Sequence, residues 1–189
     1  MSTRDIVLIA LFAAMMAVLG AFPPLMLPLI AIPITAQSLG PMLMGGILGA
    51  RRGVLAMLLF LVLVAMGLPL LSGGRGGLAP FVGPWSGFIY GWVAASFVIG
   101  WLVERRWDRL GPVSAFAICA LGGIGVVYAV GVPWYAMMAK LDLLTAFASS
   151  AIVFIPGDLV KAALATAAIL IVKRAYPLIQ SGSLRAARS

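Results

Sequence analysis

Runs without a formal charge govern what this chain can become: Ile6 to Ile32 and Val113 to Ala139 each pass without one Asp, Glu, Lys or Arg. A helix rises about 1.5 Å per residue, so roughly 17 to 25 apolar residues cross a hydrocarbon core about 30 Å thick. Apolar residues fill 63% of 189 positions and charged ones 10%, more apolar surface than a water-soluble domain of this length can hide. Lipid is therefore the solvent for most of the chain. There the backbone must satisfy its own hydrogen bonds, which for uninterrupted apolar runs selects helices.

Six segments meet the length requirement or nearly do: 6–22, 34–50, 53–70, 85–103, 113–132 and 156–172. They predict an all-α membrane protein with six transmembrane helices, a single integral membrane domain over 1–189 and a flexible C-terminal tail at 177–189. Turn chemistry marks the breaks: Pro23, Pro24 and Pro28 after the first span, Gly73, Gly74, Gly76 and Gly77 after the third, Gly111-Pro112 before the fifth. The first segment exceeds a signal-peptide core of roughly 7 to 15 residues and follows Arg4 beside Asp5, so it reads as a retained span. Leu143 to Phe154 is too short to cross and is expected as a partial helix between spans five and six, at the outer end of the bundle.

Orientation follows from basic residues in alternate loops. Arg4, then Arg51 and Arg52, then Arg105, Arg106 and Arg109, and finally Lys173, Arg174, Arg185 and Arg188 fall on one side, against Arg75 and Lys140 on the other. Both termini are expected in the cytoplasm, with the glycine cluster and Lys140 outside.

Several function classes are excluded. The net charge of +8 comes as short basic pairs between apolar segments, not as a continuous nucleic-acid-binding face. Histidine is absent and Cys119 is the one cysteine, so intrachain disulfides and the usual zinc, haem and serine-hydrolase constellations all lack members, and no metal or cofactor is expected. No GxxxxGK[ST] occurs, so the chain has no nucleotide-cradling loop of its own.

Four of the five acidic residues lie near loops or chain ends. Asp158 does not: it precedes Lys161 by three residues at the start of span six, which puts both side chains on one helix face. A charge at the centre of a membrane helix costs about 2.5 to 3.5 kcal/mol on insertion scales, so both should point into the bundle. One reading is a structural ion pair, with Pro156 starting the helix and Asp158 complementing its dipole. The other is a carboxylate acceptor and an ammonium donor awaiting a polar ligand. Lys161 lies about 7.5 Å along the axis from Pro156, so the pair opens outward, where Gln37 and Thr35 at the outer end of span two add amide and hydroxyl groups. Arg75, within Gly73-Gly74-Arg75-Gly76-Gly77, sits either on a movable flap over a pocket or on a solvated turn meeting lipid head groups. Ala10 and Ala14, and likewise Ala13 and Ala17, are spaced four apart and permit close helix approach, by another helix of this chain or by an external partner.

Together these residues resemble the BioY family, the biotin-specific S components of energy-coupling factor (ECF) transporters. The resemblance is carried by Ala10-Leu11-Phe12-Ala13-Ala14, Pro33-Ile34-Thr35-Ala36-Gln37, Gly67-Leu68-Pro69, Gly83-Pro84, Gly131-Val132-Pro133-Trp134 and Pro156-Gly157-Asp158 with Lys161, in the family's order over about four fifths of the chain. It implies the S-component fold in a bacterial cytoplasmic membrane, biotin as transported ligand, and coupling to a transmembrane subunit and ABC-type ATPases. It implies that Asp158 and Lys161 contact the ureido ring and that Ala10, Ala13, Ala14 and Ala17 dock the coupling partner; with Gln37, Thr35, Arg75, Gly76 and Gly77 the first two make up the expected substrate-binding set. Where the family tends toward G-P-T-G-G-Y, this chain reads Gly83-Pro84-Trp85-Ser86-Gly87-Phe88, which removes a tyrosine hydroxyl and adds bulk. The competing expectations are an S component for another vitamin, a stand-alone facilitator, and an intramembrane enzyme using Asp158 and Lys161 as acid and base, the last lacking any recognisable nucleophile or metal.

Overall fold

The computed structural model describes residues 1–22, 35–152 and 154–179. Pro23, Pro24 and Pro28, the motif residues Pro33 and Ile34, and the tail from 180 on lie outside them. No named strand occurs among the described residues, only an isolated bridge between Leu71 and Arg75.

The helices are α1 (Thr3–Ala21), α2 (Leu39–Leu48, entered by a 3-10 turn over Ala36–Ser38), α3 (Ala50–Ala65), α4 (Ser86–Arg105), α5 (Pro112–Ala139), α6 (Leu143–Ile152) and α7 (Ile155–Ala175). Each of the six expected spans has a helix, and α6 is the expected partial helix. By length and composition α1, α4, α5 and α7 suffice to cross a membrane. The other two are shorter than the sequence suggests, 10 residues for α2 and 16 for α3. α2 begins only after the 3-10 turn over Ala36–Ser38, and Gly49, whose φ of +84° is open to glycine and costly for other residues, ends it two residues early and starts α3 in the same step. Arg51 and Arg52, expected in a loop, therefore occupy the first turn of α3. At the other end α3 stops before Gly67, at φ +104°, and not at Leu70.

Local chemistry explains the remaining boundaries. Ser2 and Asp5 form a capping box on α1, the Asp5 N–H donating to Ser2 Oγ at 3.2 Å and the Ser2 N–H to Asp5 Oδ2 at 2.9 Å. Asp142 caps α6 by accepting from the Thr145 N–H at 2.9 Å. Pro156 lies in the first turn of α7, where its missing N–H leaves no bond unmade, and Lys173 and Arg174 occupy the last turn, opposite the negative end of the dipole.

The core sits around α2. Every residue from Gly40 to Leu48 is buried, and α2 packs against α1, α3, α4 and α7. Glycines make this possible, because a β-carbon at Gly45 would collide with the Ser96 carbonyl of α4, and one at Gly100 with the backbone of Gly49 and Ala50. Met42, Met44, Met57, Phe60, Ile99 and Ile169 fill the remaining space. The tail begins packed: Leu178 and Ile179 are buried, and Arg52 Nη2 donates to Leu178 O at 2.7 Å.

Candidate functional site

The N-terminal ends of α2, α4 and α7 converge at one end of the bundle, opposite the end that carries Arg51, Arg105 and Lys173. Between them lies a cavity of about 600 Å³, within the roughly 300 to 1,000 Å³ of small-molecule sites.

Its polar pole is built by three elements. The first two turns of α7 place Asp158 and Lys161 one above the other, with Lys161 Nζ donating to Asp158 Oδ1 at 2.9 Å. Ser38, delivered by the 3-10 turn before α2, accepts from Lys161 Nζ at 2.7 Å and donates to Asp158 Oδ1 at 3.2 Å. From α5, the Tyr128 hydroxyl donates to Asp158 Oδ2. Asp158 is only 4% exposed, so removing either charge of this pair would leave the other stranded, a loss of about 3 to 5 kcal/mol for a buried pair. An ammonium has three N–H bonds and a carboxylate about four acceptor sites. Among the described residues Lys161 spends two and Asp158 three, which leaves one donor and one acceptor for a guest.

The opposite walls are apolar. Trp85, Phe88, Ile89 and Trp92 recur at the helical period along the start of α4 and all line the cavity. Trp85 stacks on Tyr135 with ring centres 4.2 Å apart, and Phe88 meets Tyr128 edge-on at 6.1 Å. Trp134 Nε1 donates to Gly83 O at 3.1 Å and fixes the approach to α4. Gly123 and Ser150, on the π-helical turns Leu121–Val126 and Ala148–Ile152, complete the wall with Val127 and Phe154. Such widened turns shift a helix's register locally and recur at functional sites.

Of the residues expected to bind substrate, Asp158, Lys161, Thr35, Gln37, Arg75 and Gly76 line the cavity. Gly77 does not: its N–H donates to Val64 O at 2.8 Å and its φ is +79°, so it closes the turn onto α3. Gln37 reaches the wall, but its amide is occupied by backbone, donating to Met16 O and Leu70 O and accepting from the Ser72 N–H. Arg75 is exposed on a tight hairpin and donates through Nε to Ser72 O at 3.1 Å, which leaves its terminal nitrogens without partners among the described residues. The alanines divide. Ala10 and Ala14 are exposed, Ala17 is half-buried, and Ala13 is buried at 3%, so Ala13 packs inside this chain and is not presented to a partner.

Ser38, Tyr128, Trp92 and Phe154 escaped the sequence reading. Tyr128 left a trace: a phenol hydroxyl within a charge-free run needs a polar partner somewhere in the bundle.

An apolar helical bundle enclosing a partly satisfied ion pair and an aromatic wall defines a membrane protein with a small-molecule-binding site. The comparisons narrow this. Residues 1–178 match the BioY family model, and the chain belongs to that family. It is 50% identical over 184 residues to the biotin transporter BioY of Rhizobium etli, covering 95% of this chain and 98% of the relative. To the biotin transporter BioY of Rhodobacter capsulatus it is 48% identical over 168 residues, covering 84% and 87%. Among solved structures it matches the S-component for biotin from an ECF-type ABC transporter with a TM-score of 0.87 at 31% identity, covering 94% of this chain and 97% of that one. The S-component fold is thus the fold of this chain.

Proposed function

We propose that this chain takes up biotin as the substrate-binding membrane subunit of an ECF-type transporter. It captures biotin at the end of the bundle where the cavity lies and delivers it to the cytoplasm with a coupling transmembrane subunit and ABC-type ATPases. The basic-rich end and both termini face the cytoplasm of a bacterium, and the cavity faces outward.

The carrying observation is the Asp158–Ser38–Lys161–Tyr128 network with one donor and one acceptor unspent beside an aromatic wall. A ureido ring presents N–H donors and one carbonyl acceptor. Asp158 accepts a ring N–H while Lys161 donates to the carbonyl, both charge-assisted. Trp85, Phe88 and Trp92 cover the apolar sulfur-containing ring. Arg75 carries the charge opposite to the ligand's carboxylate and, unlike Lys161, is not committed to a carboxylate among the described residues. The tyrosine hydroxyl missing at Phe88 is supplied from the neighbouring helix by Tyr128.

The test is calorimetric titration of the purified chain with biotin. Wild type should bind stoichiometrically, and Asp158→Asn together with Lys161→Ala should weaken binding at least about 100-fold, from two charge-assisted hydrogen bonds of about 1.5 to 3 kcal/mol each. Affinity unchanged in that double variant would refute the assignment.

A further inference from the structure

Gln37 does work that its position in the cavity wall conceals. It is 1% exposed, and its amide ties two segments to its own: Nε2 donates to Met16 O of α1 at 3.2 Å and to Leu70 O at 2.9 Å, while Oε1 accepts from the Ser72 N–H at 2.8 Å. The two N–H contacts to carbonyls and the N–H received at Oε1 fix which way the amide points. Leu70 and Ser72 flank the root of a hairpin in which the Leu71 N–H donates to Arg75 O at 3.0 Å and the Arg75 N–H to Leu71 O at 3.2 Å. Gly73 and Gly74, at φ +79° and +69°, make its tip. Leu71, Gly74 and Arg75 of this hairpin line the cavity. On the far side, α1 carries Gly20 where any β-carbon would collide with Leu70 O and Gln37 Nε2, so the close approach of α1 to the hairpin root requires that glycine.

A second observation acts in the opposite direction. Ser72 is buried at 3%, and its hydroxyl is the one buried side-chain polar atom without a hydrogen-bond partner among the described residues. An unpaired buried hydroxyl disfavours the arrangement that buries it, and water would satisfy it once the hairpin lifts. The seated hairpin therefore carries a clamp and a counterweight that meet on one residue, Ser72.

We infer that Gln37 is a positioning residue, not a ligand contact: through Leu70 and Ser72 it holds the Leu71–Arg75 hairpin against the cavity and so sets how fast ligand leaves, and the orphan Ser72 hydroxyl biases the same hairpin toward release. This rests on the reading of the cavity as the biotin site. The consequence is a pair of substitutions with opposite signs. Gln37→Glu keeps the volume but removes both N–H donors and places a carboxylate against two carbonyls, whereas Ser72→Ala removes the unsatisfied group and keeps the backbone donor.

The experiment uses the full chain in nanodiscs, with radiolabelled biotin chased by excess unlabelled biotin, and backbone amide exchange of Leu71 and Arg75 read with and without ligand. Gln37→Glu should speed dissociation about tenfold and Ser72→Ala slow it about threefold, corresponding to the loss and gain of single hydrogen-bond-sized terms. Amide exchange of the hairpin should rise in the first variant and fall in the second, while amides in the middle of α4 stay as in wild type. The inference is overturned if hairpin exchange is unchanged in Gln37→Glu, or if Ser72→Ala speeds both processes as general loosening would. Should Gln37→Glu fail to fold, Gln37→Met, which removes the same donors and the acceptor without adding a charge, takes its place in both measurements with the same expected direction. Exchange on ligand-free protein tests the clamp even if biotin does not bind, an outcome that would count against the cavity assignment and not against the clamp.

Discussion

Two ion pairs stand at opposite ends of this bundle. Arg52 and Asp5 approach to 3.4 Å with side chains 23% and 28% exposed, and Lys161 and Asp158 to 2.9 Å with 14% and 6%. The guanidinium of Arg52 is also engaged with backbone, donating through Nε to Leu48 O and through Nη2 to Leu178 O, so it fastens α1, α2 and the start of the tail. Lys161 and Asp158 share their bonds with the side chains Ser38 and Tyr128, line a cavity, and retain a donor and an acceptor. The same chemistry thus closes one end and prepares the other. What separates them is the valence left over, not the presence of opposite charges.

The largest expected contrast comes from exchanging each cation for an apolar side chain of similar length. Lys161→Met should weaken biotin binding by about 100-fold, since a charge-assisted contact is lost and Asp158 is left unpaired in a buried setting. Arg52→Met should leave affinity within about twofold and instead lower the melting temperature, because exposed pairs contribute about 0 to 1 kcal/mol and the lost backbone bonds add to that. Titration and thermal unfolding of both variants measure this. Equal losses of affinity would erase the distinction between the two ends.

A smaller effect isolates one partner of the polar pole. Tyr128→Phe removes the hydroxyl donor from Asp158 without changing charge and should cost about tenfold in affinity, near the 1.5 kcal/mol of a weak charge-assisted bond. The ring's packing against Phe88 is retained, so stability should change less than affinity. If affinity holds while the protein loosens, Tyr128 belongs with the structural end of the comparison.

Much of this was readable from residues alone. The spans follow from hydrocarbon length and the cost of an unpaired backbone in lipid, and Asp158 with Lys161 was conspicuous because a charge inside a span must have a reason. The division between α2 and α3 was not readable, because one positive-φ glycine replaced the expected loop and nothing in the composition around Gly49 distinguishes it from Gly45 or Gly46. The role of Gln37 was invisible for another reason. Its partners are backbone groups of Met16, Leu70 and Ser72, and sequence states which side chains exist, not which carbonyls face them. Trp85, Phe88, Ile89 and Trp92 have helical spacing, but spacing does not say whether such a face meets lipid, core or a cavity.

The smallest prediction concerns a residue near the ligand end that touches no ligand. Hydrogen bonds from the Thr145 hydroxyl and then its N–H hold the Asp142 carboxyl below the usual carboxylate range. A carboxylate with a depressed folded value stabilises above its unfolded value and loses that contribution as pH falls through the folded one. The melting temperature of Asp142→Ala should therefore lie slightly below wild type near neutrality, and the gap should narrow in acid below the usual carboxylate range. A gap independent of pH would mean that the cap acts through packing and not through its charge.

Complete enclosure of α2 also shapes how this protein can vary. A helix on the rim of a bundle has a lipid side that drifts freely among apolar residues, and α1 and α7, most of whose residues are not buried, retain that latitude. From Gly40 to Leu48 there is no such side. Tolerance to substitution along α2 should lack the usual rise and fall every three to four positions, and homologues ought to diverge from the outside inward, leaving this short central rod as the slowest-changing part of the chain.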